Sequence, residues 1–263
     1  MYDHSSPFAL ARTPGAEPKS AFALKRLRRA VIECELRPGT DCSEPDLARC
    51  FGLGRAAVRT ALTTLAAEGL VAVEPRRGWR VAPVTGALIG DVIRARQALE
   101  PGLAELRLTA DAAAGLTALT RMGMALQGRE DRQALVTLRA ADRQILDRLA
   151  ALAGGLVGRW LDEAWNQADR IAAFFDLAGR HHRPPGREAL VAALAAGDAA
   201  AARHEITAAL TAFQDFATAA LLSLPSSLEV AGAKQDRRRR QTGPDATTPQ
   251  ARPHRPHQQG DIT

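Results

Sequence analysis

The chain has 263 residues, 46% hydrophobic but only 4% aromatic, with a formal net charge of +6. Its length allows one large domain or two ordinary ones, and an apolar load carried by Leu and Ala favours packed helices over a β-sandwich. Three cysteines, Cys34, Cys42 and Cys50, have no CxxC spacing and form no metal-type cluster, and no apolar run approaches the ~20 residues of a membrane span.

The odd cysteine number and the lack of a secretory signal predict a reducing, cytoplasmic setting. The basic balance suits a polyanionic partner. Residues 1–19 read as a flexible, Pro-containing lead-in. The segment FALKRLRRAVIECEL then predicts a first helix, with Phe22, Leu27, Val31 and Ile32 on its buried side. Pro38 and Gly39 end it. Ser43 is placed to cap a second helix, SEPDLARCF, whose Glu44 and Asp46 suit the positive N-terminus. Leu47 and Phe51 lie one turn apart and face the core.

The tripeptide Gly52–Leu53–Gly54 makes a tight turn into a third helix, in which Val58, Ala61, Leu62 and Leu65 form a buried stripe. Arg55, Ala56 and Arg59 therefore point outward near its start. Two like charges one turn apart cost an isolated helix a few tenths of a kcal/mol, a cost that asks for something in return. Gly69 closes this helix, and LVAVEPRRGWRVAP alternates around Pro75–Gly78 as a hairpin with Arg76 and Arg77 at its tip.

Two short helices joined by a tight turn and followed by a basic-tipped hairpin make a winged helix-turn-helix, predicted over residues 20–84. The second helix of such a pair enters the major groove with its N-terminal residues at base edges. Arg55 and Arg59 can contact guanine bidentately, while Ala56 and Ala57 let the helix approach closely. Arg76, Arg77 and Gly78 suit a wing laid along a minor groove. The alternative is a surface helix whose arginines are merely solvated.

A boundary at Val81–Ala87 leads into residues 88–222, which read as helix after helix with a Pro-rich break at Gly179–Arg187. His181 and His182 in that break read as a solvated loop. Residues 225–263, including Arg237–Arg240, read as a disordered basic tail. The fold class is mainly α: an N-terminal winged helix-turn-helix plus a C-terminal antiparallel helical bundle. No nucleophile–base pair or paired carboxylates emerge, so no enzyme is expected.

The stretch SEPDLARCFGLGRAAVRTALTTLAAEGLVAVEPRRGWRVAP resembles the GntR family of bacterial transcription regulators, with its Ser-Glu start, its Gly-x-x-Arg turn, its Val-Arg and its Glu-Gly-Leu-Val. Gly54 stands where that family usually has Ser or Thr, and Ala56–Ala57 replaces Thr-Pro, which implies a changed base preference. Residues Asp91–Arg107 and Leu190–Ala202 resemble the all-helical FCD-type effector domain of the FadR-like branch, with Arg96, Leu99 and Glu100 as its opening signature. Read without the family, Arg96 is equally a structural ion pair with Glu100.

The resemblance implies a cytoplasmic, homodimeric, ligand-responsive regulator, a repressor, that reads a palindromic double-stranded DNA operator. The other reading is a small-molecule-binding helical protein with a vestigial DNA head. Many FadR-like effector domains hold a divalent ion through an Asp, a His four residues later and two further histidines. Here Asp142 matches the first ligand, but the other positions are Leu146, Arg187 and Ala209. The departure implies no metal and no cofactor, and either an effector pocket in which Arg187, with Arg96 and beside Asp142, receives a small anion such as a carboxylate, or a pocket that has lost its ligand in a domain that only dimerises.

Overall fold

Apolar spacing and end signals set the first elements. The computed structural model describes residues 18–126, 128–129 and 131–223. The expected tail at 225–263 and all but the end of the expected lead-in lie outside them. The first three helices are α1 (Lys19–Ile32), α2 (Glu44–Phe51) and α3 (Arg55–Ala67). Strands β1 (Asp41–Cys42), β2 (Val71–Glu74) and β3 (Gly78–Val81) form one antiparallel sheet in the order β1-β3-β2.

The stripe expected on α3 is the one observed: Val58, Ala61, Leu62 and Leu65 are buried and pack against Leu27, Leu47 and Val81. On α1 the expectation needs correction. Helix begins at Lys19, and Phe22 is 53% exposed, whereas Ala23, Leu27, Ala30 and Val31 are buried. Ile32 is only half-buried. Small Ala23 and Ala30 let α1 lie close on α3, which a phenylalanine at the contact would prevent.

The remaining elements are helical: α4 (Gly86–Leu99), a 3-10 turn (Glu100–Glu105), α5 (Ala110–Met124), α6 (Arg132–Ala153), α7 (Gly155–Asp176), α8 (Glu188–Ala196) and α9 (Ala199–Ser223). Thr85, Thr109 and Asp131 cap α4, α5 and α6 by accepting from Leu88, Ala112 and Ala134 amides. α4 packs on α7 and α9, α5 on α6 and α8, and α8 on α9. One core gathers Leu116, Leu149, Leu161, Trp165, Leu194 and Ile206, and a second gathers Ile89, Ile171, Phe175 and Phe213.

α6 and α7 touch backbone to backbone at Gly158, where a Cβ would lie 2.3 Å from the Ala150 carbonyl oxygen. α9 departs from the sequence expectation, because its 25 residues are long and apolar enough to cross a membrane by length and composition. In this fold it buries Ala202, Ile206, Ala209, Phe213, Ala217 and Ala220, which makes it a core helix of the bundle.

The break at Gly179–Arg187 is docked at His182 rather than wholly solvated, while His181 is exposed as expected. Arg139 of α6 donates from Nε and Nη2 to the His182 carbonyl at 2.9 and 2.6 Å. The His182 ring lies 4.9 Å from that of Phe216 and 5.4 Å from that of Phe213. Arg183 donates to the carbonyls of Arg129 and Leu126. These bonds satisfy loop carbonyls that a solvated loop would leave to water.

Candidate DNA-binding surface and bundle interior

Local chemistry builds the turn between α2 and α3. The Ser43 hydroxyl accepts from the Asp46 amide at 3.2 Å and starts α2, and Gly52, at φ 64°, ends it in the left-handed region. Gly54 then precedes α3 without any side-chain cap. Burying Val58, Ala61, Leu62 and Leu65 turns Arg55, Ala56 and Arg59 to the outside, while Ala57 is half-buried against the core.

The wing pairs Val71 with Val81, Ala72 with Arg80, Val73 with Trp79 and Glu74 with Gly78. Its tip is a turn closed by the Arg77 amide donating to the Glu74 carbonyl at 3.0 Å, with Pro75 second and Arg76 third at φ 65°. That third position favours glycine, so an arginine there is held in a strained conformation. Gly78 serves geometry as much as flexibility: a Cβ on it would lie 3.1 Å from the Cys42 carbonyl oxygen of β1. Arg77 and Arg80 both face Asp41 of that strand, at 3.9 and 2.7 Å. The Arg80 guanidinium holds the Asp41 carboxyl below the usual carboxylate range.

Glu44 links the helices to the wing, a role that sequence reasoning missed. Arg59 Nε donates to both Glu44 carboxylate oxygens at 3.1 and 3.0 Å, and Arg59 Nη2 lies 2.8 Å from Oε2. Trp79 Nε1 donates to Oε1 of the same carboxylate at 3.4 Å. The Arg59 contact, reinforced by that of Trp79, lowers the Glu44 pKa against a smaller opposing effect of burial. A glutamate two residues past a strand that pairs with the wing is the signal that could have shown this, but β1 has only two residues.

The joint between the winged helix and the bundle runs along α7. Gln167 donates to the Glu68 carbonyl at the end of α3 at 3.3 Å, and Arg170 donates from Nη2 to the Ala82 carbonyl after β3. Arg28 of α1 pairs with Glu68 beside it. Arg170 is fully buried, its Nε has no hydrogen-bond partner among the described residues, and burial pushes its pKa down.

In the bundle, Arg96 and Glu100 are 5% and 3% exposed, and Arg96 Nε donates to Glu100 Oε1 at 2.5 Å. Trp165 Nε1 donates to the same oxygen at 2.7 Å, and the Arg96 guanidinium lies 4.6 Å from the centre of the Phe213 ring. Arg187, 7% exposed, donates from Nε and Nη2 to the two oxygens of Asp142 at 2.6 and 3.3 Å. Burial pushes the Arg187 pKa down, but the charge and hydrogen bonds of Asp142, with the charge of Glu100, together outweigh it and leave the pKa raised. The three residues expected to hold an effector thus form two ion pairs, Arg96 with Glu100 and Arg187 with Asp142. His182 Nε2 is buried without a hydrogen-bond partner among the described residues, and burial pushes its pKa down to about 4.

The donor set does not fit a divalent cation. Both oxygens of Asp142 already face a guanidinium, and among the described residues no group of three His, Cys, Asp or Glu side chains is placed to share an ion.

Helix, tight turn, second helix with outward arginines and a basic wing define a winged helix-turn-helix of the kind that binds double-stranded DNA. Residues 19–81 match the family profile of bacterial regulatory proteins, gntR family, which makes this N-terminal unit a GntR-family helix-turn-helix DNA-binding domain. The chain is 37% identical over 122 residues to an uncharacterized HTH-type transcriptional regulator in an unstable DNA locus of Streptomyces ambofaciens, covering 46% of this chain and 51% of that one. It is 33% identical over 88 residues to the HTH-type transcriptional repressor RspR of Escherichia coli K12, covering 34% of this chain and 39% of that one. These matches span about half or less of the relatives' length. A crystal structure from Rhodococcus sp. RHA1, described provisionally as a transcriptional regulator GntR, superposes with a TM-score of 0.60 at 25% identity, covering 79% of this chain and 99% of that one.

Proposed function

We propose that this chain is a cytoplasmic, ligand-responsive repressor of transcription that reads a palindromic DNA operator as a homodimer. The observation that carries the reading is the placement of Arg55 and Arg59 on the exposed, N-terminal end of α3, beside a wing tipped by Arg76 and Arg77. Guanidinium groups in that place serve bases and phosphates, not the core. A two-fold protein with one such surface per subunit reads two half-sites about one helical turn apart. No catalytic role is assigned to any residue.

The helical domain, assigned to the FadR-like branch with an FCD-type fold, is the effector and dimerisation module in this reading. Its ligand is a small anion, such as a carboxylate, that takes the place of Asp142 on Arg187, with Arg96 close in the same interior. The near-complete burial of Arg187 supports this, because a desolvated guanidinium binds a carboxylate bidentately and strongly. α7 carries Trp165 toward Glu100 and also carries Gln167 and Arg170 toward the DNA head, so a rearranged interior has a route to α3 and the wing.

The test is a gel-shift titration with duplexes flanking the gene itself. Wild type binds one duplex selectively and less tightly as salt rises. Arg59→Ala weakens that duplex by roughly tenfold or more and relaxes one base position per half-site. Arg77→Ala weakens all duplexes more evenly. Unchanged binding by both variants refutes the reading.

A further inference from the structure

Glu44 is a carboxylate set among the arginines of the proposed DNA-binding surface. Phosphates repel it, so it lowers affinity for any duplex. Its partner Arg59 is 73% exposed, against 19% for the Glu44 side chain, and an ion pair with one partner so open to water contributes only modestly to stability. Its charge suits the positive N-terminus of α2, but that role asks only for a carboxylate in the first turn, which Asp46 also supplies, and does not require the contacts to Arg59 and Trp79.

Three features fix the carboxylate in place. β1 pairs Cys42 with Trp79, which brings the start of α2 against the wing. Gly78 leaves room for that approach to the Cys42 carbonyl. The Trp79 ring N–H then holds Oε1 from the wing side. On the other side the carboxylate takes the Nε and Nη2 hydrogens of Arg59. The side edge of the guanidinium is thereby occupied, and the end edge, formed by Nη1 and the second hydrogen of Nη2, takes no hydrogen bond among the described residues. That edge can still span guanine O6 and N7.

We infer that Glu44 is a positioning residue for sequence discrimination: it presents Arg59 end-on to a base edge and keeps it off the phosphate backbone. This rests on the DNA-binding reading above. Without the carboxylate, Arg59 has a flexible stem and five N–H donors free to settle on whichever phosphate is nearest. Loss of Glu44 then exchanges specificity for non-specific affinity, a split that a merely structural ion pair does not produce.

The experiment measures the affinity of the full chain for two probes, the duplex that wild type enriches from a randomised pool and a scrambled duplex of the same composition. Glu44→Gln keeps the shape and removes the charge, and Glu44→Ala removes the group. Both lower the ratio of the two affinities, Glu44→Ala by roughly tenfold, the effect of losing one well-set base contact. Binding to the scrambled duplex stays level or tightens, and its salt slope steepens by up to about 0.9 as Arg59 gains a phosphate. In an Arg59→Ala background, Glu44→Ala leaves the ratio unchanged, as a double-mutant cycle requires if Glu44 acts through Arg59. An unchanged ratio in both single variants, a parallel fall in both affinities together with the melting temperature, or an effect that persists without Arg59 overturns the inference. A wild-type chain that does not discriminate between the probes overturns the DNA-binding reading itself.

Discussion

Asp142→Ala isolates the pair proposed to hold the effector. It removes the partner of a guanidinium that is 7% exposed and bound through two nitrogens at 2.6 and 3.3 Å. Breaking a buried pair from one side costs about 3–5 kcal/mol, because the remaining charge has lost both its solvent and its counter-ion. At ~2–4 °C per kcal/mol for a domain of this size, the melting temperature falls by roughly 6–20 °C. Acetate or formate then fills the vacated place if the interior admits a small anion. A ligand at 100 times its Kd restores about 2.7 kcal/mol, or roughly 5–10 °C. The assay is thermal unfolding of wild type, Asp142→Ala and the double variant Asp142→Ala/Arg187→Leu, each in chloride and in acetate at equal ionic strength. The double variant recovers stability, since neither charge is left unpaired, and loses the acetate effect. A single variant that melts within ~2 °C of wild type refutes the energetics. Acetate that shifts all three proteins alike refutes the anion site.

Arg76→Gly relieves a left-handed conformation worth about 1 kcal/mol, so it raises the melting temperature by a few degrees while weakening duplex binding in a gel shift; a lower melting temperature contradicts the strained turn. The pKa of His182 is depressed from 6.5 to about 4, so the unfolded chain binds more protons between those values and stability rises with pH across that window. His182→Phe, which keeps the ring between Phe213 and Phe216, flattens that part of a melting-temperature profile against pH, and a profile identical to wild type contradicts the buried imidazole. Gly158→Ala sets a Cβ 2.3 Å from the Ala150 carbonyl oxygen and costs about 1–3 kcal/mol by overpacking, read as a lower urea midpoint; an unchanged midpoint shows that α6 and α7 can separate freely.

What the sequence determined by itself were features decided within a turn or two of chain. Ser43 caps α2 because its hydroxyl and the Asp46 amide are three residues apart, and Val58, Ala61, Leu62 and Leu65 bury together because helical spacing puts them on one face. Gly52 and the Pro75 turn were legible for the same reason, since φ preferences belong to single residues. Tertiary structure alone decided the rest. Whether Phe22 or Ala23 faces inward depends on how closely α1 approaches α3, which periodicity does not specify to within one residue. The Glu44 contact to Trp79 spans 35 residues, that of Trp165 to Glu100 spans 65 and that of Arg187 to Asp142 spans 45. Such partners are chosen by which elements pack side by side and in what register. A two-residue strand such as β1 has no period of its own, so the carboxylate that it carries to the wing becomes visible only once β3 lies beside it.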